Sequence, residues 1–297
     1  MIEFYENRGS LLAKIKKKSG DSPPPKETKG SKGHKGHHES PSKDPAELFA
    51  SYGNKYLAAA FPVGDERLKR SKPLDIVFAF DTTGSMYKYL EVVSEQIAAL
   101  TERIASVIEG ARIGLVAFGD HCDEKTTYLT KVLPLTPNLE RIGPFLGSVE
   151  RTHGGDEPEA VEDALWEVND LNWRLSSIRA VVLIGDAPPH GVIDSKSVCT
   201  NRKDYELETH ALASKGIRLY AVQCGGQDAT TKVFEWMAKM TDGLRLDLDN
   251  ADDLVDLLIG VCMKEVGMLD EFSEELAERH GLSESKDKLF KMLAEKN

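Results

Sequence analysis

From residue 74 onward, short apolar runs alternate with longer amphipathic stretches. LDIVFAF (74–80), ARIGLVAF (111–118), TTYLTKVLPL (126–135), RAVVLIG (179–185), IRLYAVQC (217–224) and LRLDL (244–248) read as strands. The first, second, fourth and fifth are apolar almost throughout, as strands covered on both faces are. The third alternates visibly and is expected at an edge or antiparallel. After Met86, the residues Leu90, Val93, Ile97, Leu100, Ile104 and Val107 recur at spacings of three and four, which predicts a helix with one inward stripe. Pro158 is expected to open a further helix, with Val161, Leu165 and Val168 on one face. Gly216 is placed to stop a helix that begins near Asp204. Two more helical patterns follow Asn250, ending in MLDEFSEELAERHGL and SKDKLFKMLAEKN.

Strands alternating with helices predict an α/β fold, a doubly wound and mostly parallel six-stranded sheet flanked by helices, Rossmann-like in layout. A hydrophobic content of 40% supports a proper core for it. Charge then divides the chain. Residues 1–45 hold ten of the 38 basic and six of the 49 acidic residues, with five prolines and the run KETKGSKGHKGHHESPSKDP, leaving 28 basic against 43 acidic behind them. The change of sign marks a disordered basic tail rich in His, Lys and Pro over 1–45. A helical lead-in over 46–69, the folded body over 70–262 and a C-terminal helical extension over 263–297 complete the expected organisation.

The acidic balance disfavours nucleic acid as a partner. The N-terminal MIEFYENRGSLLAKIKKK lacks the apolar core of about 7–15 residues that a secretion signal needs, and no stretch reaches the ~18 apolar residues that span a bilayer. A cytoplasmic location without membrane contact is therefore expected. Cys122, Cys199, Cys224 and Cys262 form no CxxC pair and are read as free thiols.

In open α/β sheets, ligands collect at the carboxyl ends of the strands. Four such ends here carry compatible polar groups: Asp81, Thr83 and Ser85 after the first, Asp120 after the second, Asp156, Glu157 and Glu159 in HGGDEPEA, and Asp186 with His190 in GDAPPHG. Converging carboxylates repel each other unless a cation sits among them. Oxygen donors with hydroxyls mixed in suit Mg²⁺, Mn²⁺ or Ca²⁺ and not zinc. The alternative for Asp81 and Asp156 is that each caps a helix. His190 is read as a structural or rim residue.

D-T-T-G-S at 81–85 resembles the D-x-[ST]-x-S loop of the metal-ion-dependent adhesion site (MIDAS) in von Willebrand factor type A (VWA) domains. The resemblance covers roughly residues 70–262. DEPE at 156–159, RIGLVAFGD and GDAPPH resemble the integrin β-subunit branch. The resemblance implies a cation, Mg²⁺ or Mn²⁺, held by Asp81, Thr83, Ser85, Glu159 and Asp186, with Thr152 as the fallback for Glu159. It also implies a second cation position, for Ca²⁺, at Asp120, Asp156 and Glu159, although Gly154 stands where that branch has Asn. The third cation position of that branch is expected to be missing, because Tyr87 and Lys88 follow Met86 where acidic residues are needed. The function implied is protein–protein binding as an adhesion or adaptor module, with an Asp or Glu of another protein completing the coordination and no catalysis by this chain.

Two other readings remain. DTTGS also resembles the D-K-T-G-[TS] motif of phosphoryl-transferring ATPases and their haloacid-dehalogenase relatives, in which Asp81 would be the nucleophile. Thr82 in place of Lys and the lack of a further Asp after GDAPPH count against it. The site could instead be purely structural. A Ser85, His190, Asp186 hydrolase would need a nucleophile elbow that T-G-S-M-Y does not provide, and no phosphate-binding or dinucleotide loop is present.

Overall fold

The computed structural model describes residues 72–294 apart from 91–96, 98–100, 102–103, 105–107, 195–197, 226, 249–252 and 281–282. The tail over 1–45 and the lead-in over 46–69 lie outside the described residues. The strands are β1 (Leu74–Asp81), β2 (Arg112–Phe118), β3 (Thr130–Thr136), β4 (Ile178–Gly185), β5 (Arg218–Gln223) and β6 (Arg245–Asp247). They form one sheet in the order β3-β2-β1-β4-β5-β6. All neighbours are parallel except β2 and β3. The third run, expected at an edge or antiparallel, is both: β3 lies at the edge and pairs antiparallel with β2.

The helices are α1 (Ile142–Leu146), α2 (Val161–Asp170), α3 (Tyr205–Ser214), α4 (Asp228–Met240), α5 (Leu254–Glu265), α6 (Leu269–His280) and α7 (Glu284–Ala294). The stretch after Met86 is helical at 87–90, 97, 101 and 104, with Leu90, Ile97 and Ile104 buried as its stripe requires. Asp204 caps α3 by accepting from the N–H groups of Glu206 and Leu207, and Gly216 follows its end at φ 62°. Pro158 does not open α2. Glu159 bridges to Pro189 and its N–H donates to Pro188, while Ala160 N–H donates to Gly119. That backbone is committed to neighbouring loops, so the helix starts only at Val161.

β1 is buried along its whole length. Leu74, Ile76, Phe78 and Phe80 face one apolar layer and Val77 and Ala79 the other. The first layer takes in Leu258 and Val261 of α5, Phe272 of α6 and Leu293 of α7. The C-terminal helices therefore pack on the body, and they number three where the sequence showed two patterns. Each such fully buried side chain contributes about 1.5–3 kcal/mol. Glu265 of α5 accepts from Arg218 at 2.8 Å, and Lys264 Nζ donates to the Leu293 carbonyl at 2.7 Å, which fixes α5 to β5 and α7 to α5. Among the described residues no helix is long and apolar enough to cross a membrane.

At the amino end of the sheet Asp75 is fully buried. It accepts from Arg112 Nε at 2.9 Å, from Arg174 Nε and backbone N–H at 2.9 Å each, and from Ser177 Oγ at 3.0 Å. Burial alone would raise its pKa, but these donors, Arg112 foremost, hold it at about 2.

Candidate metal centre

The carboxyl ends of β1, β2 and β4 bring the first loop, the Asp120 loop, the HGGDEPEA loop and the GDAPPHG turn together. Thr82 ties three of them: its N–H and hydroxyl both donate to the Phe118 carbonyl, at 2.9 and 2.8 Å, and its carbonyl accepts from Thr152 N–H at 3.0 Å. Tyr87 Oη and Tyr128 Oη donate to the carbonyls of Thr152 and Glu150, and Asp123 accepts from the N–H groups of His153 and Gly154. Of these, Tyr128 and Asp123 escaped the sequence reading because nothing in their spacing marks them. Every bond joins segments that only the folded sheet makes neighbours.

Within this frame Asp81 Oδ1 accepts from Thr83 N–H at 2.7 Å, and Ser85 Oγ donates to Asp186 Oδ1 at 3.0 Å. Asp81 does make a local bond of the kind a capping role asks for. Asp156 does not cap α2, which begins five residues later. Glu159 reaches the same spot. A Cβ added to Gly154 would lie 2.7 Å from Glu159 Oε1 and 3.5 Å from Thr83 Cβ, so both side chains press against that glycine. Thr152 instead directs its hydroxyl to Thr82 Oγ1, 3.0 Å away.

Burial pushes Asp81 and Glu159 well above the usual carboxylate range. The charges of Asp186 and Asp120 add to this for Asp81, and those of Asp81 and Asp120 for Glu159. Asp186 is raised as well, again mainly by burial. For Asp120, burial also acts upward, but the neighbouring His190 imidazole and the His121 N–H outweigh it and its pKa is lowered. His190 Nε2 lies 3.4 Å from Asp120 Oδ1 and its Nδ1 2.9 Å from Glu162 Oε1. Both ring nitrogens are thus engaged away from Ser85, which leaves no Ser85–His190 pair for a hydrolase. Asp120, Asp156 and His190 each offer a ligand atom within 4.8 Å of the others, so the neighbourhood of the second cation position includes a histidine.

Three buried oxygens here have no hydrogen-bond partner: Thr83 Oγ1, Glu159 Oε2 and Asp120 Oδ1. Buried polar atoms are rarely left so, and a cation is what this donor set of hydroxyls and carboxylates fits. Gly154 has φ 72°, and a side chain there would displace the Glu159 carboxylate. Gly154→Ala is expected to cost about 1–2 kcal/mol and to reduce the rise in melting temperature on adding Mg²⁺, both read from melts with and without EDTA.

No protein-family profile matches the chain. Three known proteins are similar to parts of it. An ariadne-like RING finger protein of Acanthamoeba polyphaga mimivirus is 24% identical over 69% of this chain and 21% of its own length. Alpha-protein kinase vwkA of Dictyostelium discoideum is 25% identical over 42% and 20%. Integrin beta-6 of Rattus norvegicus is 22% identical over 46% and 22%. The chain spans about a fifth of the length of each relative. Among solved structures, a von Willebrand factor type A protein from Catenulispora acidiphila aligns with a TM-score of 0.49 and 15% identity over 66% of this chain and 43% of that one. A central β1, the order β3-β2-β1-β4-β5-β6 with a single antiparallel edge, and DTTGS at the end of β1 make this a von Willebrand factor type A fold of the Rossmann-like α/β class.

Proposed function

We propose that the chain is a divalent-cation-dependent protein-binding module whose cation is held by Asp81, Thr83, Ser85, Glu159 and Asp186. The fold is in general one of interaction and adhesion modules and not of enzymes. The observation that carries the reading is the pair of buried, unpartnered oxygens, Thr83 Oγ1 and Glu159 Oε2, beside the raised carboxyl of Asp81. When bound, Mg²⁺ or Mn²⁺ would supply an electrophilic centre that accepts a further oxygen ligand.

The chain's own residues set how that ligand arrives. Gly84 and Ser85 are exposed, so the cluster opens to solvent on their side. Lys88 is exposed near Asp186, and the Arg151 guanidinium stands 4.8 Å from the Tyr87 ring centroid. A rim with two cations favours an Asp or Glu of a partner protein by charge complementarity. Asp120, Asp156 and Glu159 form the second position, suited to Ca²⁺.

Phosphoryl transfer is less well served. Asp81 is only 1% exposed and its carboxyl is raised, which leaves little room for a phosphate and a weak nucleophile. Intact-mass measurement after incubation with acetyl phosphate is expected to show no aspartyl phosphate.

Pull-downs with wild type and Thr83→Ala, each with Mg²⁺ or with EDTA, test the binding reading. A partner retained by the wild type in Mg²⁺, and at least about tenfold less in the other three conditions, is expected. Equal capture in all four would leave the cation a purely structural role.

A further inference from the structure

Beside the oxygen-lined site, and bridged to it by His190, lies a cluster of different chemistry. His121 comes from the turn after β2, Glu162 and Asp163 from the first turn of α2, and Cys199 from the segment between β4 and α3. We propose that these four residues form a four-coordinate Zn²⁺ site.

The four ligand atoms lie close enough together to share one ion. One ligand atom of each residue lies within 4.8 Å of all the others. His121 Nε2 is 3.4 Å from Glu162 Oε1 and 3.6 Å from Asp163 Oδ2, and Cys199 Sγ is 3.3 Å from Asp163 Oδ2. Zinc bonds of about 2.0–2.3 Å place tetrahedral ligands roughly 3.3–3.8 Å apart. The three measured edges match that range.

A second observation points to a ligand. The His121 side chain is only 9% exposed, and neither of its ring nitrogens makes a hydrogen bond. If a protonated imidazole between two carboxylates were all that the cluster needed, His121 would donate to them with good geometry. It does not, although its Nε2 stands only 3.4 and 3.6 Å from their oxygens. A nitrogen aimed at a metal needs no proton to share.

The surroundings complete the case. Asp163 Oδ1 accepts from Lys203 Nζ at 2.9 Å and from Asn201 Nδ2 at 3.1 Å, which leaves Oδ2 for the metal. His190 Nδ1, at 2.9 Å, orients the Glu162 carboxylate. Such outer contacts fix ligands in position. A thiolate and two carboxylates bring three negative charges, which Zn²⁺ and the Lys203 ammonium cancel. The mixed S, N and O donors select zinc over magnesium.

The test uses the full chain, untagged, with His34, His37 and His38 of the tail replaced by alanine so that they cannot bind zinc themselves. After loading and dialysis, elemental analysis should find zinc retained at one equivalent per chain. Cys199→Ser and His121→Gln should each weaken retention by more than about tenfold. Co²⁺ in place of zinc should give the intense visible bands of a four-coordinate ion and a thiolate-to-cobalt charge-transfer band that Cys199→Ser removes. Should either variant fail to fold, alkylation of the parent chain followed by peptide mass spectrometry still decides: Cys199 should be alkylated more slowly with zinc than in EDTA, while Cys122 reacts alike in both. No retained zinc, equal retention in the variants, or an unprotected Cys199 would overturn the proposal.

Discussion

Saturating Mg²⁺ should raise the melting temperature of the wild-type chain, and Asp81→Asn should abolish that rise while leaving the melt in EDTA nearly unchanged. Free ion at a hundredfold excess over its dissociation constant stabilises the folded state by about 2.7 kcal/mol. For a chain of this size that is roughly 5–10 °C. The second half of the prediction follows from the environment of Asp81. Its carboxyl is fully enclosed, raised, and faces the charges of Asp186 and Asp120. Asparagine can still accept the Thr83 N–H that Asp81 Oδ1 accepts, and it brings no charge to desolvate. A residue placed only for packing would behave oppositely, lowering both melts together. An unchanged wild-type melt on moving from Mg²⁺ to EDTA would sink the cation reading.

The second large effect is expected at the other end of the same strand. Asp75→Ala removes the acceptor of two arginines and a serine and should destabilise the chain by about 3 kcal/mol, the lower end of what breaking a buried ion pair costs. Arg112 and Arg174 are 15% and 31% exposed, so each can recover some hydration when the carboxylate is lost. The expected drop in melting temperature is roughly 6–12 °C, measured in EDTA to keep the cation site out of the comparison. The pH dependence has a definite sign. The folded-state pKa of about 2 lies below the ordinary aspartate value. The contribution is therefore fully present above about pH 4 and is lost as pH falls toward about 2. Asp75→Asn should flatten that part of the acid unfolding curve, and an equally steep curve in the variant would refute the assignment.

How far the molecule could be read from its sequence differs between fold and site. All six strands fall within a few residues of the apolar runs, because a strand buried on both faces leaves a continuous signal. The edge strand Thr130–Thr136 was marked by its alternation. The start of α2 was misplaced at Pro158, since proline at a helix start is a local preference and the Glu159–Pro189 bridge is a tertiary demand. Of the candidate ligands, Asp81, Thr83, Ser85 and Asp186 were legible as a group because they sit at or directly after the ends of strands. His121, Cys199 and the adjacent Glu162 and Asp163 were not seen as a group. They come from three segments, and a lone Cys and a lone His carry no spacing pattern. The one clue was the Glu–Asp pair, both buried in the first turn of α2 where a solvent-facing pair would be ordinary. Asp75 was hidden in the same way, a carboxylate inside an apolar run whose partners lie 37 and 99 residues away.

Asp75 and Asp81 stand six residues apart on β1, an even number, so both project toward the face of Val77 and Ala79. Inserting or deleting a single residue between them would turn one end of the strand over relative to the other. Either the arginine clamp or the cation loop would then swing into the layer of Phe78 and Phe80, and no sliding of the strand could restore both. β1 is thus a stretch of fixed parity: its composition can drift within apolar bounds, but its length can change only in steps of two.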